Sequence, residues 1–193
     1  MPRILLLDNY DSFTYNLFHF IEEFECVQLE VIRNDAIEIS DVEQYDGIIL
    51  SPGPGLPNEA GLLIPIIERY KETKRIFGVC LGQQAIAMAF GGELKNLKVV
   101  YHGVARGITV HQPKHYIFDG IPDTMDVGRY HSWVVSPKNF PSCLRIDASD
   151  SEGSIMALSH RKLDICAVQF HPESILTPYG KRIISNWLKP YFD

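Results

Sequence analysis

The sequence predicts an α/β fold: a single open mixed, mostly parallel sheet with flanking helices, spanning residues 1–193 as one domain. Three observations predict it. Short apolar runs alternate with segments of helical periodicity up to about residue 92, the pattern of a parallel sheet covered on both faces. From there the runs read as strands joined by short turns, so antiparallel pairs extend the sheet. No Pro/Ser-rich linker or internal repeat divides the 193 residues, a length that suits one domain.

Residues 4–7, Ile-Leu-Leu-Leu, are a buried-strand run that Asp8-Asn9 ends. Across residues 12–24, Phe13, Leu17, Phe20, Ile21 and Phe24 recur at helical spacing, with Asp11 or Ser12 placed to cap the helix. Residues 27–32 form a second strand, and Ser40-Asp41 is placed to cap a short helix. Residues 47–50 form a third strand, which runs into Ser51-Pro52-Gly53-Pro54-Gly55-Leu56-Pro57. Its three prolines and two glycines permit only a loop. A helix over 62–70, a strand over 75–79 and a helix over 81–90 follow, the last stopped by Gly91-Gly92. Beyond it, residues 99–110, 125–129, 144–148, 154–159 and 165–169 read as strands, and a helix over about 179–188 closes the chain.

Lys and Arg number 18 against 24 Asp and Glu, a net charge of −6 that argues against a general nucleic-acid binder. No apolar stretch approaches the roughly 20 residues that a membrane helix needs. The run at 4–7 is too short for a signal sequence, and no small-residue cleavage site follows it. A soluble, cytoplasmic protein is expected. Cys26, Cys80, Cys143 and Cys166 are widely spaced with no Cys-x-x-Cys pair, which in such a chain suggests free thiols. The histidines show no zinc-ligand spacing, and neither a metal nor a cofactor is expected.

Three segments carry chemistry. Gly78-Val79-Cys80-Leu81-Gly82 joins a strand to a helix and has the form of a nucleophile elbow with Cys in place of Ser. Gly78 and Gly82 allow a tight turn where side chains would collide. The turn places the sulfur at the carboxyl edge of the sheet and at a helix N-terminus, where N–H groups stabilise a thiolate or an oxyanion. An arbitrary cysteine is more often a small core residue, and the flanking glycines are what tell against that here. Gly53-Pro54-Gly55 also follows a strand and makes a rigid bend with exposed N–H groups, although taken alone it reads equally as a surface turn. His171-Pro172-Glu173 follows the strand that ends at Gln169. An imidazole can take a thiol's proton and later protonate a leaving amine, and a carboxylate two residues on can orient it. Alone, that tripeptide reads as a solvated strand end.

Together these segments resemble the triad (class I) glutamine amidotransferases. The matching stretches are Ser51-Pro52-Gly53-Pro54-Gly55, Gly78-Val79-Cys80-Leu81-Gly82-Gln83-Gln84 and Gln169-Phe170-His171-Pro172-Glu173, in the family's order along nearly the whole chain. Asp8-Asn9-Tyr10-Asp11-Ser12-Phe13-Thr14-Tyr15-Asn16 and the continuation Ser174-Ile175-Leu176-Thr177 place the likeness closest to the small subunits of anthranilate and aminodeoxychorismate synthases.

The resemblance implies that Cys80 attacks the side-chain carboxamide of L-glutamine, with His171 as general base and acid and Glu173 orienting it. It implies an oxyanion hole from the N–H groups of Gly55 and Leu81. It also implies glutamine binding by Gly53, Pro54, Gly55, Gln84 and the Ser132-Trp133 backbone. It implies a chorismate-using synthase as protein partner, docked near residues 8–16. Two positions depart from the pattern of this branch: Gln83 stands where His is common and Trp133 where Leu is common. Two other readings stay open, a stand-alone cysteine hydrolase of γ-glutamyl substrates and a non-catalytic regulatory module on the same fold.

Overall fold

The computed structural model describes residues 1–191. Its sheet has nine strands: β1 (Arg3–Asp8), β2 (Gln28–Arg33), β3 (Gly47–Leu50), β4 (Arg75–Val79), β6 (Val104–Val110), β7 (Thr124–Arg129), β9 (Leu144–Asp150), β10 (Ile155–His160) and β11 (Ile165–Val168). Two further strands, β5 (Leu94–Asn96) and β8 (Trp133–Val135), pair antiparallel on their own. The helices are α1 (Thr14–Glu22), α2 (Leu63–Tyr70), α3 (Leu81–Ala89) and α4 (Gly180–Leu188).

The strand order is β2-β1-β3-β4-β11-β10-β9-β6-β7. The five strands from β2 to β11 pair in parallel, and the remaining four extend the sheet by antiparallel pairing. The expected mixed, mostly parallel open sheet is therefore found. Ile4 and Leu6 of β1 point into one apolar layer, with Leu17 and Ile21 of α1 and Ile184 and Trp187 of α4. Leu5 and Leu7 point into the other, with Ile66 and Ile67 of α2 and Ala85 and Ile86 of α3. The unbroken apolar run of β1 is thus the consequence of a strand buried on both faces.

The sequence-based boundaries differ from the structure in three instructive places. The expected strand over 99–110 begins only at Val104, because Gly103 adopts a left-handed turn (φ 67°) and Val99 and Val100 face outward. Among the described residues no side chain caps α1. The Asp11 carboxylate instead accepts from the Phe13 N–H at 2.8 Å, while Asp8 accepts from the Thr14 hydroxyl at 2.8 Å. The segment expected to start a short helix at Ser40 forms a 3₁₀ turn over Ile39–Gln44.

Strand order decides where the chemistry collects. β1, β3, β4 and β11 are adjacent and parallel, so the loops after all four emerge at one edge of the sheet. Asn9, after β1, is tied to the loop after β3: its N–H donates to the Ser51 hydroxyl at 2.8 Å and its Nδ2 to the Ser51 carbonyl at 2.9 Å. Among the described residues no helix is long and apolar enough to cross a membrane.

Candidate active site

Cys80 sits between β4 and α3 with φ 54° and ψ −100°, a conformation that a residue with a side chain rarely adopts. Two close approaches enforce it. A Cβ on Gly78 would lie 2.7 Å from the Gly82 carbonyl carbon, and a Cβ on Gly82 would lie 2.7 Å from the Leu50 carbonyl oxygen. Helix α3 therefore starts flush against β3 and β4, and only glycine at both positions permits it. The Cys80 N–H donates to the Val168 carbonyl at 2.8 Å, which fastens the strained residue to the end of β11. The N–H of Leu81, at the first helical position, has no acceptor within its own helix.

The loop after β11 carries the other two residues of the expected triad. His171 and Glu173 are both buried, and His171 Nδ1 lies 2.6 Å from Glu173 Oε1. With Nδ1 engaged, Nε2 is the nitrogen left to exchange a proton, and among the described residues it has no hydrogen-bond partner. Burial alone would lower the imidazole, but the adjacent Cys80 and Glu173 reverse this and hold it well above its ordinary range. The loop that carries the pair is anchored to β7. The His171 N–H donates to the Gly128 carbonyl at 3.0 Å, and the Thr177 hydroxyl donates to the His171 carbonyl at 2.7 Å while accepting from the Gly128 N–H at 3.0 Å. Phe13 packs edge-on against the His171 ring (centroids 5.4 Å apart) and Tyr130 covers it from another side at 4.8 Å.

A cavity of about 190 Å³ opens beside the sulfur. It is lined by Gly53, Pro54 and Gly55, by Cys80, Leu81 and Gln84, and by the stretch Tyr130, His131, Ser132 and Trp133. That is below the roughly 300–1,000 Å³ of pockets for drug-sized ligands and suits a molecule of amino-acid size. Every residue expected to bind or activate glutamine outside the His171/Glu173 pair lines this one cavity. Gly55 has φ 70°, and a Cβ on Gly53 would lie 2.6 Å from the Asn9 Cβ, so this loop too depends on its glycines. Gln84 is buried rather than facing solvent. Its Nε2 donates to the Trp133 carbonyl at 2.9 Å and to Gln169 Oε1 at 3.3 Å. Trp133 belongs to β8, opposite Asn96 of β5. Gln83 turns away from the cavity and donates to the Ile155 carbonyl at 3.2 Å, so its departure from the usual His alters packing against β10 rather than the pocket lining.

The family model described as "Glutamine amidotransferase class-I" matches residues 5–190. The chain belongs to the class-I glutamine amidotransferases. It is thus an enzyme that takes nitrogen from glutamine and donates it as ammonia. The "Aminodeoxychorismate/anthranilate synthase component 2" of Bacillus subtilis is 44% identical over 190 residues, covering 97% of this chain and 96% of the relative. The "Aminodeoxychorismate synthase component 2" of Escherichia coli is 43% identical, covering 96% and 98%. Among solved structures, a "putative gmp synthase" protein of Thermoplasma acidophilum superposes on this amidotransferase with a TM-score of 0.88 at 27% identity, covering 100% of this chain and 94% of that one.

Two residues of the site were not singled out from the sequence. His131 is buried, lines the cavity, and neither of its ring nitrogens has a hydrogen-bond partner among the described residues. Burial, together with the charges of Arg129 and His171, pushes its imidazole down to about 4, so it stays neutral. Gln169 is fully buried and reaches Cys80 itself. The sequence signal for Gln169 was its place two residues before His171 on the same strand end. His131 carried no signal beyond its place before Ser132-Trp133.

Proposed function

We propose that residues 1–193 act as one glutaminase domain in which Cys80, His171 and Glu173 hydrolyse L-glutamine, and that the ammonia passes to a chorismate-using synthase making anthranilate or 4-amino-4-deoxychorismate. The observation that carries the reading is the shared cavity. It holds the strained Cys80, the glycine-rich Gly53–Gly55 bend and the Ser132-Trp133 wall, with the His171–Glu173 pair beside the sulfur. His171 Nε2 takes the thiol proton, and the thiolate attacks the carboxamide carbon. The N–H groups of Gly55 and Leu81 receive the oxyanion. The proton returns from His171 to the amide nitrogen, the C–N bond breaks, and ammonia leaves a γ-glutamyl thioester. Water, deprotonated by His171, attacks the thioester and releases glutamate and the thiol. Glu173 keeps Nδ1 protonated and aimed throughout, as the acid of other triads does. No cofactor or metal enters these steps.

The names of the relatives support a synthase as partner: the Bacillus subtilis, Pseudomonas aeruginosa and Escherichia coli proteins are called component 2 of an anthranilate or aminodeoxychorismate synthase. The surface next to the site is also apolar enough to dock. Tyr10, Tyr15 and Ile175 are exposed, and Ile175 stands almost wholly in solvent, two residues from Glu173. Phe13, between the two tyrosines, touches His171, so a protein seated there would press on the catalytic imidazole. We place the enzyme in the cytoplasm. The test is Cys80→Ser in the complex with the co-purifying synthase. Glutamine-dependent synthesis is expected to vanish while ammonia-dependent synthesis persists, and a glutamine-analogue electrophile should label Cys80 in the natural chain. Retained glutamine use in the variant would overturn the reading.

A further inference from the structure

Gln169 directly follows β11 and is fully buried. Its Nε2 points at the Cys80 sulfur from 3.5 Å. Its Oε1 accepts from Gln84 Nε2 at 3.3 Å, which decides that the NH₂ end, not the oxygen, faces the sulfur. Gln84 is held in turn by the Trp133 carbonyl at the cavity wall. We propose that Gln169 is a further catalytic residue of the thioester reaction: its side-chain N–H holds the Cys80 thiolate, and Gln84 orients that amide from the substrate cavity. This rests on the reading of Cys80 as the nucleophile.

The physical case is one of difference between states. A thiol is a weak acceptor, whereas a thiolate is a charged one, so the same N–H stabilises the anion far more than the neutral group. Cys80 is buried apart from the cavity beside it, so a thiolate formed there has fewer waters around it than in bulk solvent. His171 removes the proton but leaves the anion needing a donor, and Gln169 supplies one. The donor is also neutral. A lysine in its place would stabilise the thiolate but would disfavour the protonated imidazole that must later give its proton to the leaving amine. Because Gln84 both lines the cavity and fixes the Gln169 amide, a ligand in the cavity meets the residue that aims the donor at the sulfur.

The experiment follows alkylation of the full-length chain by iodoacetamide across pH. Modification is read at Cys80 by peptide mass spectrometry, because Cys26 and Cys143 are partly accessible and react as well. In Gln169→Leu the midpoint of the Cys80 profile is expected to rise by about one pH unit, giving roughly tenfold slower alkylation below it. Gln169→Glu should raise it further, since a carboxylate repels the thiolate. Gln84→Leu, which leaves Gln169 in place and removes its orienting partner, should shift the midpoint the same way by less. Thermal unfolding at each pH separates a shifted profile from a loss of fold, and Gln84→Leu carries the test if Gln169→Leu does not fold. Folded variants whose profiles overlay that of the natural chain would overturn the proposal while leaving Cys80 as nucleophile. Failure of Cys80 in the natural chain to alkylate at any pH would overturn both.

Discussion

His131 makes the enzyme's stability depend on pH in a way that can be worked out and checked. Unfolded, its imidazole titrates near 6.5. Folded, burial first, then the Arg129 and His171 charges, lower it to about 4, against a small opposing pull from Asp150. The folded state therefore binds fewer protons between pH 6.5 and 4, and stability must fall as pH drops through that window. A shift of about 2.5 units corresponds to roughly 3 kcal/mol in full, of which about 2 kcal/mol is lost between pH 7 and 4.5. His171 does not compete in this window. Its folded value is raised, so its contribution is fully present below 6.5 and is lost only as pH climbs through the raised value. The perturbation is His131→Phe, which removes the titrating group and keeps a ring against Tyr101, now 5.6 Å away between centroids. Urea denaturation at pH 7 and 4.5 is the assay. With a urea slope of about 1–3 kcal/mol/M, the natural chain should lose of the order of 1 M more in midpoint on acidification than the variant does. Other groups, such as the lowered His115 and His160, act equally in both chains and cancel in the comparison. Equal acid sensitivity of the two chains would refute the reasoning.

Two further outcomes follow from the elbow and the triad. Gly82→Ala sets a Cβ 2.7 Å from the Leu50 carbonyl oxygen, so α3 must move off β3; the expected cost is about 1–3 kcal/mol, read as a lower thermal midpoint, together with loss of glutaminase activity because Cys80 is displaced. Glu173→Gln removes the carboxylate 2.6 Å from His171 Nδ1 and should lower kcat by about 10²–10⁴-fold with little change in KM for glutamine, measured as glutamate release; an equal rise in KM would mean that Glu173 shapes the pocket instead.

What was legible in the sequence was what depends on local chain geometry. The Gly78-x-Cys80-x-Gly82 joint could be read because strand, turn and helix are contiguous, and the structure assigns both glycines the close approaches that the motif requires. The strand ends after β3, β4 and β11 could be read for the same reason. Gln169 and His131 could not, because what distinguishes them is contact across 89 residues to Cys80 in one case and burial without a partner in the other. The three-residue strands β5 and β8 were missed because Leu94-Lys95-Asn96 is too short to show an alternating pattern, and only its partner makes it a strand. The strand over 99–110 was read too long because Val99, Val100 and Tyr101 have strand-like composition, yet the segment is tied down irregularly, the Tyr101 N–H donating to the His131 carbonyl at 3.0 Å.

That last bond shows how the two halves of the sheet make one site. The parallel half can supply Cys80, the glycine bend and the His171–Glu173 pair from adjacent strand ends, but it leaves the sulfur open on one side. The missing wall is Tyr130 to Trp133, the chain leaving β7 at the far edge of the antiparallel half. Two sets of bonds bring it back. Gly128 of β7 exchanges bonds with His171 and Thr177, and a Cβ there would lie 2.8 Å from the Ser174 hydroxyl, so the loop carrying His171 and Glu173 lies directly on β7. The Leu97 and Tyr101 N–H groups then hold the Ser132 and His131 carbonyls from outside. Arg129, next to Tyr130 in the chain, is buried against Asp150 at 2.7 Å, a pair whose disruption would leave an unpaired buried charge one residue from this wall. The antiparallel extension is therefore part of the candidate site: without its register against the loop after β11, Cys80 would have no wall opposite it.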